Sequence, residues 1–236
     1  AWAYAAMAVG RVPGMSERMR RWTIPDMGDP HRARVLIKTV RLCDGVGGVA
    51  RAIPGARVFV SIRRPCGQVH SVMRGNREGR FELRETGDMP LDQRRAMDRA
   101  ALSGVDAAAF AALPAAAQYA WGWVAFNERA AEWAIRLPNV EVVVYDELAS
   151  APVERARRIM AFAGLEWHPS VEAFARSSTE RDSVAGYYDV EQNAAIAAHR
   201  WRSEMDDEDR RIVQAVARQS PLARYWPDLV DAEARA

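Results

Sequence analysis

Along this 236-residue chain the apolar positions fall alternately into short continuous runs and into helical stripes. Val58, Phe59, Val60 and Ile62 form a brief run rich in β-branched and aromatic side chains, which predicts a buried strand of a parallel sheet. Pro65 stands where a first helical position loses no N–H, and Val69, Val72 and Met73 then recur at helical spacing. Residues 57–74 therefore predict strand, tight turn, helix. Val35, Leu36 and Ile37 predict a second strand over 34–39, covered on both faces, and Val140, Val142, Val143 and Val144 predict a third. Between the first two of these lies a helical pattern, Val46, Val49, Ala50 and Ile53, within 42–53.

A long helix is predicted from Pro114 to Leu137, with Tyr119, Trp123, Phe126, Ala130 and Trp133 on one broad stripe that packs across the sheet. Pro152 opens a further helix carrying Ala156, Ile159, Met160 and Phe162, and Gly164 closes it. Strands alternating with helices predict an α/β fold, a parallel sheet flanked by helices with right-handed crossovers. The segment from 177 to 236 reads as largely helical, with Trp201 anchoring it and Ser183–Tyr188 as a flexible element. Elsewhere the pattern predicts two helical pieces in 1–22, a loop at 25–33, a basic turn at Gly75–Arg80 and a helix from Leu91.

In an open α/β sheet, ligands collect beyond the carboxyl ends of the strands, where helix N-termini offer N–H groups to anions. Arg63 and Arg64 stand at such an end, and Ser71 lies on the helix that follows. A guanidinium fork and a hydroxyl there suit a phosphate. The same residues would equally serve to keep a strand end hydrated and to pack a helix. Basic residues are almost all Arg, and Lys38 is the single lysine. A compact ammonium at a predicted strand end suits a phosphate or sulfate, although retention of one lysine by chance accounts for it as well.

Gly45, Gly47 and Gly48 invite a phosphate-loop reading, but they fall inside the predicted helix with no Gly-Lys-Ser/Thr after them, so that signature fails. With 49% apolar and 27% charged residues the composition is that of a globular protein, and its length suits one domain over 1–236. A net charge of +2 gives no reason to expect nucleic acid. Cys43 and Cys66 make neither a disulfide framework nor a metal-ligand spacing, so no metal is expected and a reducing cytoplasm is the default. No apolar run is long enough to span a bilayer, and the apolar opening lacks the basic leader of a secretory signal. The chain starts without Met and in mid-pattern, which reads as the loss of a preceding segment.

Arg63-Arg64-Pro65 at a strand end, with Ser71 eight positions after Arg63, resembles the sulfotransferase family that uses 3′-phosphoadenosine 5′-phosphosulfate (PAPS), in its bacterial form. Ile37-Lys38-Thr39 and Pro54-Gly55-Ala56-Arg57 upstream are similar to the family's lysine-ended strand and proline turn. Downstream, Val144-Tyr145-Asp146-Glu147-Leu148, Ala151-Pro152 and Phe162-Ala163-Gly164-Leu165 follow the family's order, and His199-Arg200-Trp201-Arg202 extends the likeness more faintly. The resemblance implies a P-loop NTPase-like sulfotransferase architecture. It implies that Arg63 and Ser71 contact the cofactor's 3′-phosphate, that Tyr145 approaches the adenosine, and that Arg200 or Arg202 reaches the anion. Lys38 would lie near the reacting group. The implied reaction moves a sulfuryl group from PAPS to a hydroxyl or amine of a small-molecule or glycan acceptor, releasing adenosine 3′,5′-bisphosphate.

The chain departs from the family in lacking a Pro-x-Ser-Gly-Thr loop before Lys38, and in Arg64 and Cys66, which replace residues that are usually acidic or polar. These departures imply either an impaired chain missing its first strand and phosphate loop or a degenerate, non-catalytic nucleotide-binding module of the same fold.

Overall fold

The computed structural model describes residues 36–39, 45–53, 55–79, 91–180 and 193–230. The chain divides into two units, Ala1–Arg41 and Leu42–Ala236. In the first unit, residues 36–39 adopt no regular element, and Leu36 and Ile37 are 92% and 68% exposed. The strand expected over 34–39 is therefore absent from its described part. A continuous apolar run is compatible with a buried strand but does not supply the ladder partner a strand requires, and the sheet among the described residues contains only the strands Val58–Ile62 and Val140–Val144.

The second unit is built around a parallel pair, β1 (Val58–Ile62) and β2 (Val140–Val144), with Val58 opposite Val140 and Ile62 opposite Val144. Parallel strands need a long crossover. Here it runs through α2 (Pro65–Arg77), α3 (Leu91–Ala101), α4 (Ala107–Ala112) and α5 (Ala115–Arg136), with α1 (Val46–Ala52) preceding β1. The described residues thus form a mostly helical α/β fold with a two-stranded parallel sheet. The P-loop NTPase-like arrangement of the resemblance goes beyond these two strands.

The alanine-rich start of α5 favours helix, and its length lets it serve two neighbours. Trp123 and Ala130 of the expected stripe are buried, and Tyr119, Phe126 and Trp133 are partly so. Trp121 and Val124 are buried as well, because α3 packs along α5 while α2 and the strands approach it from elsewhere. Arg99 of α3 lies over the Trp121 ring and grips Glu128 of α5 through two nitrogens at 2.7 and 3.1 Å.

Helix α1 buries Val46 and Ala50 as expected, but it ends before Ile53, which is 45% exposed. A Cβ at Gly47 would run into the Trp133 ring, so this glycine serves close packing against α5. Gly47→Ala should therefore lower the unfolding temperature by several degrees, since overpacking costs about 1–3 kcal/mol and each kcal/mol is worth about 2–4 °C in a domain of this size. Gly48→Ala, whose Cβ would meet nothing within 4 Å, should be neutral or stabilising in the same melting experiment. Equal melting shifts for the two variants would contradict the packing role of Gly47.

Helix α2 continues through the buried Gly75 to Arg77, so the turn expected at Gly75–Arg80 starts only at Glu78. After β2 the chain enters α6 (Tyr145–Ser150) with no intervening loop, then α7 (Pro152–Phe162) and α8 (Pro169–Glu180). Gly164 closes α7 at φ +64°, the left-handed conformation glycine adopts at no steric cost. Beyond residue 192 come α9 (Ala194–His199), α10 (Trp201–Glu204), α11 (Asp207–Arg218), a 3-10 turn (Pro221–Tyr225) and α12 (Pro227–Val230). This is the helical tail the sequence predicts, and Trp201 is buried in the core. Among the described residues no helix is long and apolar enough to cross a membrane. The expectations for residues 1–22, 25–33, Cys43 and Ser183–Tyr188 lie outside the described residues.

Candidate functional site

Because β1 and β2 end level, at Ile62 and Val144, the residues that follow each strand meet. The Arg63 guanidinium lies 5.2 Å from the centre of the Tyr145 ring. The Arg64 backbone N–H donates to Asp146 Oδ2 at 2.9 Å. Pro65 takes the first helical position, and Arg64 before it is correspondingly extended, with ψ 135°. This local stiffness sets where the two arginines leave the strand, and their paths then diverge.

Arg63 is held at both ends. Its carbonyl accepts from Trp123 Nε1 at 2.9 Å, and a terminal guanidinium nitrogen donates to the Ala197 carbonyl of α9. Burial pushes its pKa below the ordinary arginine value; Tyr145 and Asp146 act in the opposite sense, while Arg200 and Arg74 reinforce the downward push. Arg64 is buried too, but it turns to Asp228 of α12 in an ion pair and lies 5.3 Å from the Trp201 ring centre. It ties the tail to the strand end. Cys66 is fully buried, and its thiol is pushed up to about 11, chiefly by burial.

A Cβ at Gly67 would stand 3.0 Å from Arg63 Nε and 3.4 Å from Trp201 Cδ1, so α2 passes close under the Arg63 side chain. Gly67, Ser71 and Arg74 follow at helical i, i+4, i+7 spacing and share one face. Ser71, half-buried, therefore lies on the face of α2 that touches Arg63. Arg200, between α9 and α10, has Nε 3.6 Å from Glu204 Oε1. The same carboxylate lies 3.1 Å from Nε2 of the buried His70 and 3.8 Å from a terminal nitrogen of Arg74. Arg74 Nε lies equally 3.8 Å from Glu78 Oε1, so three guanidinium groups, Arg63, Arg74 and Arg200, are matched here by three carboxylates, Asp146, Glu204 and Glu78.

Arg63 Nε, Arg64 Nε and Trp201 Nε1 are buried without a hydrogen-bond partner among the described residues, as is Asp146 Oδ1. Buried polar groups are ordinarily paired, and an unpaired one costs about 1–3 kcal/mol. Three such N–H groups around one helix start make a donor-rich region suited to an oxyanion.

Of the residues picked out by sequence, Arg63, Ser71, Tyr145 and Arg200 come together at this end of the second unit. Lys38 is exposed and belongs to the first unit. Arg202, the other arginine considered, stacks 5.6 Å from the Trp201 ring centre. Sequence reading passes over His70, Arg74 and Glu204. The spacing from Gly67 through Ser71 to Arg74 was available, but nothing in it indicated that Glu204, more than a hundred residues away, would return to that face. A groove of about 690 Å³ between α3, α5 and the 3-10 turn, lined by Arg99, Leu102, Glu128 and Ile135 among others, contains none of these site residues. Among the described residues no group of three or more His, Cys, Asp or Glu side chains is placed to hold a metal ion.

Comparison with known proteins gives one partial likeness. Over 76 residues the chain is 32% identical to carbohydrate sulfotransferase 3 of Mus musculus, covering 31% of this chain and 16% of the relative. Over 75 residues it is 29% identical to carbohydrate sulfotransferase 3 of Homo sapiens, with the same coverage. The chain therefore spans 16% of the length of these curated relatives. No family model matches it, and no solved structure does.

Proposed function

We propose that the chain is part of a PAPS-dependent sulfotransferase of P-loop NTPase-like architecture that acts on a carbohydrate hydroxyl or amine. The observation that carries the reading is the meeting of Arg63 with Tyr145, Arg200 and the Ser71 face of α2 at the ends of two parallel strands. The likeness to carbohydrate sulfotransferases supports it and favours a glycan acceptor. The residues fit an anionic nucleotide: the unpartnered Arg63 Nε and Trp201 Nε1 are donors suited to phosphate oxygens, and the bare Gly67 keeps α2 clear of Arg63.

In this reading Arg63 and Ser71 hold the 3′-phosphate, with Arg200 adding charge from the tail. Tyr145 braces Arg63 and offers its ring to the adenosine. When bound, PAPS supplies the sulfuryl group on a phosphate that can leave. The work of Arg63, Ser71 and Arg200 is to bind and orient, which lowers a barrier by fixing the approach of reacting groups. Lys38 enters only through the sequence resemblance, as the cation for the transferred group.

Calorimetric titration with adenosine 3′,5′-bisphosphate tests the assignment. One saturable site is expected, weakened several-fold by Ser71→Ala, since a hydrogen bond to a charged group contributes about 1.5–3 kcal/mol at most and a hydroxyl donor less than a guanidinium. A folded protein that takes up no bisphosphate would overturn it.

A further inference from the structure

We infer that Arg74 is a further anion-holding residue of this site, and that the Glu204 carboxylate is a resident counter-ion an incoming phosphate displaces. The inference rests on the reading of the strand ends as a phosphate site, and it adds residues on the far side of Ser71 from Arg63.

Arg74 leaves the same face of α2 as Gly67 and Ser71. Side chains on a helix lean toward its N-terminus, so the Arg74 stem lies back over the turn that carries His70 and Ser71. Its electrostatic effect on Arg63 places the two guanidinium groups in one field, with Arg200 as the third member. Like charges gathered at a partly buried point repel, and the fold keeps them there with Glu204 among them.

The distances around Glu204 show how loosely it binds the two arginines. Only His70, at 3.1 Å, is within hydrogen-bonding range. Arg200 at 3.6 Å and Arg74 at 3.8 Å meet this carboxylate without the short contacts of a guanidinium–carboxylate fork, and Arg74 Nε stands equally 3.8 Å from Glu78 Oε1. The Glu204 side chain is 45% exposed and the Arg74 side chain 25% exposed, so the carboxylate can swing toward water without unpacking the core. A dianionic phosphate offers more charge and more acceptor oxygens than one carboxylate, and it can accept from the arginines at normal hydrogen-bond lengths.

The test is calorimetric titration of adenosine 3′,5′-bisphosphate, adenosine 5′-monophosphate and inorganic phosphate against wild type, Arg74→Ala, Arg74→Lys and Glu204→Gln, each checked by thermal melting. Arg74→Ala should weaken bisphosphate about 10-fold, the size of one charge-assisted hydrogen bond, and leave 5′-monophosphate within about two-fold. Arg74→Lys should recover part of the loss, and Glu204→Gln should tighten bisphosphate. Equal bisphosphate affinity in wild type and Arg74→Ala, or weaker binding in Glu204→Gln, would overturn the inference. Inorganic phosphate bound in an Arg74-dependent way with no bisphosphate binding would sink the nucleotide reading while keeping Arg74 as an anion-holding residue. Binding of neither anion by wild type would overturn both.

Discussion

Arg63→Ala is expected to weaken adenosine 3′,5′-bisphosphate by about 10- to 150-fold, the range set by one or more charge-assisted hydrogen bonds of about 1.5–3 kcal/mol. Arg63 is the group in the site most completely fixed before any ligand arrives. Its backbone is held by Trp123, one guanidinium nitrogen by Ala197, and its face by Tyr145. A ligand that meets it therefore loses little side-chain entropy on the protein side. The fold should tolerate the change, because the Ala197 carbonyl loses one partner at a cost of about 1 kcal/mol, or about 2–4 °C of melting temperature. Arg63→Lys should fall between the two proteins, keeping charge but not the planar fork. An Arg63→Ala protein that melts normally and binds bisphosphate as wild type does would remove Arg63 from the site.

Trp121→Ala should produce the largest stability loss, about 3–5 kcal/mol, since a large buried aromatic is removed and the space left cannot fully collapse. Trp121 is 2% exposed, packed in the core cluster and covered by Arg99 of α3, which Glu128 of α5 holds in place. For a protein of ordinary marginal stability that is about a fifth or more of the total. The urea midpoint should drop accordingly at unchanged slope. Phe174→Ala, at a position 68% exposed, should move the midpoint by no more than about 0.5 kcal/mol equivalent. Comparable losses for both would mean that α5 is not the centre of the core.

The elements nearest the site were the most legible in the sequence. The run from Val58 to Ile62 is short and β-branched, Pro65 follows at once, and each feature constrains the backbone locally, so β1, the turn and α2 could be read from a few residues. The same holds for β2 and for the long α5. Patterns failed where a tertiary partner decides the outcome. Leu36 and Ile37 have the composition of a buried strand but form none, and Ile53 keeps the helical spacing of α1 yet lies beyond its end. Trp121 escaped the single-stripe reading of α5 because a helix packed on more than one side buries residues off the stripe.

The site divides in the same way. Arg63 and Tyr145 follow strands whose ends the register brings level, so their meeting was implied once a parallel sheet was expected. Arg200 comes close enough to act on the charge of Arg63 through the packing of α9 and α10, which no local spacing encodes. Arg64 shares the strand end with Arg63, and its turn to Asp228 in α12 gives it a different role. His70 and Glu204 meet across 134 positions, beyond the reach of any periodicity.

Sulfuryl transfer itself is best followed with PAPS radiolabelled in its sulfuryl group, incubated with a desulfated glycosaminoglycan and either wild type or Arg63→Ala. Label carried slowly onto the glycan by wild type, as suits a chain without the family's phosphate loop, and lost with Arg63→Ala is the expected result. Saturable bisphosphate binding with no label transferred to any acceptor would contradict transfer by this chain and leave a nucleotide-binding module of the same fold.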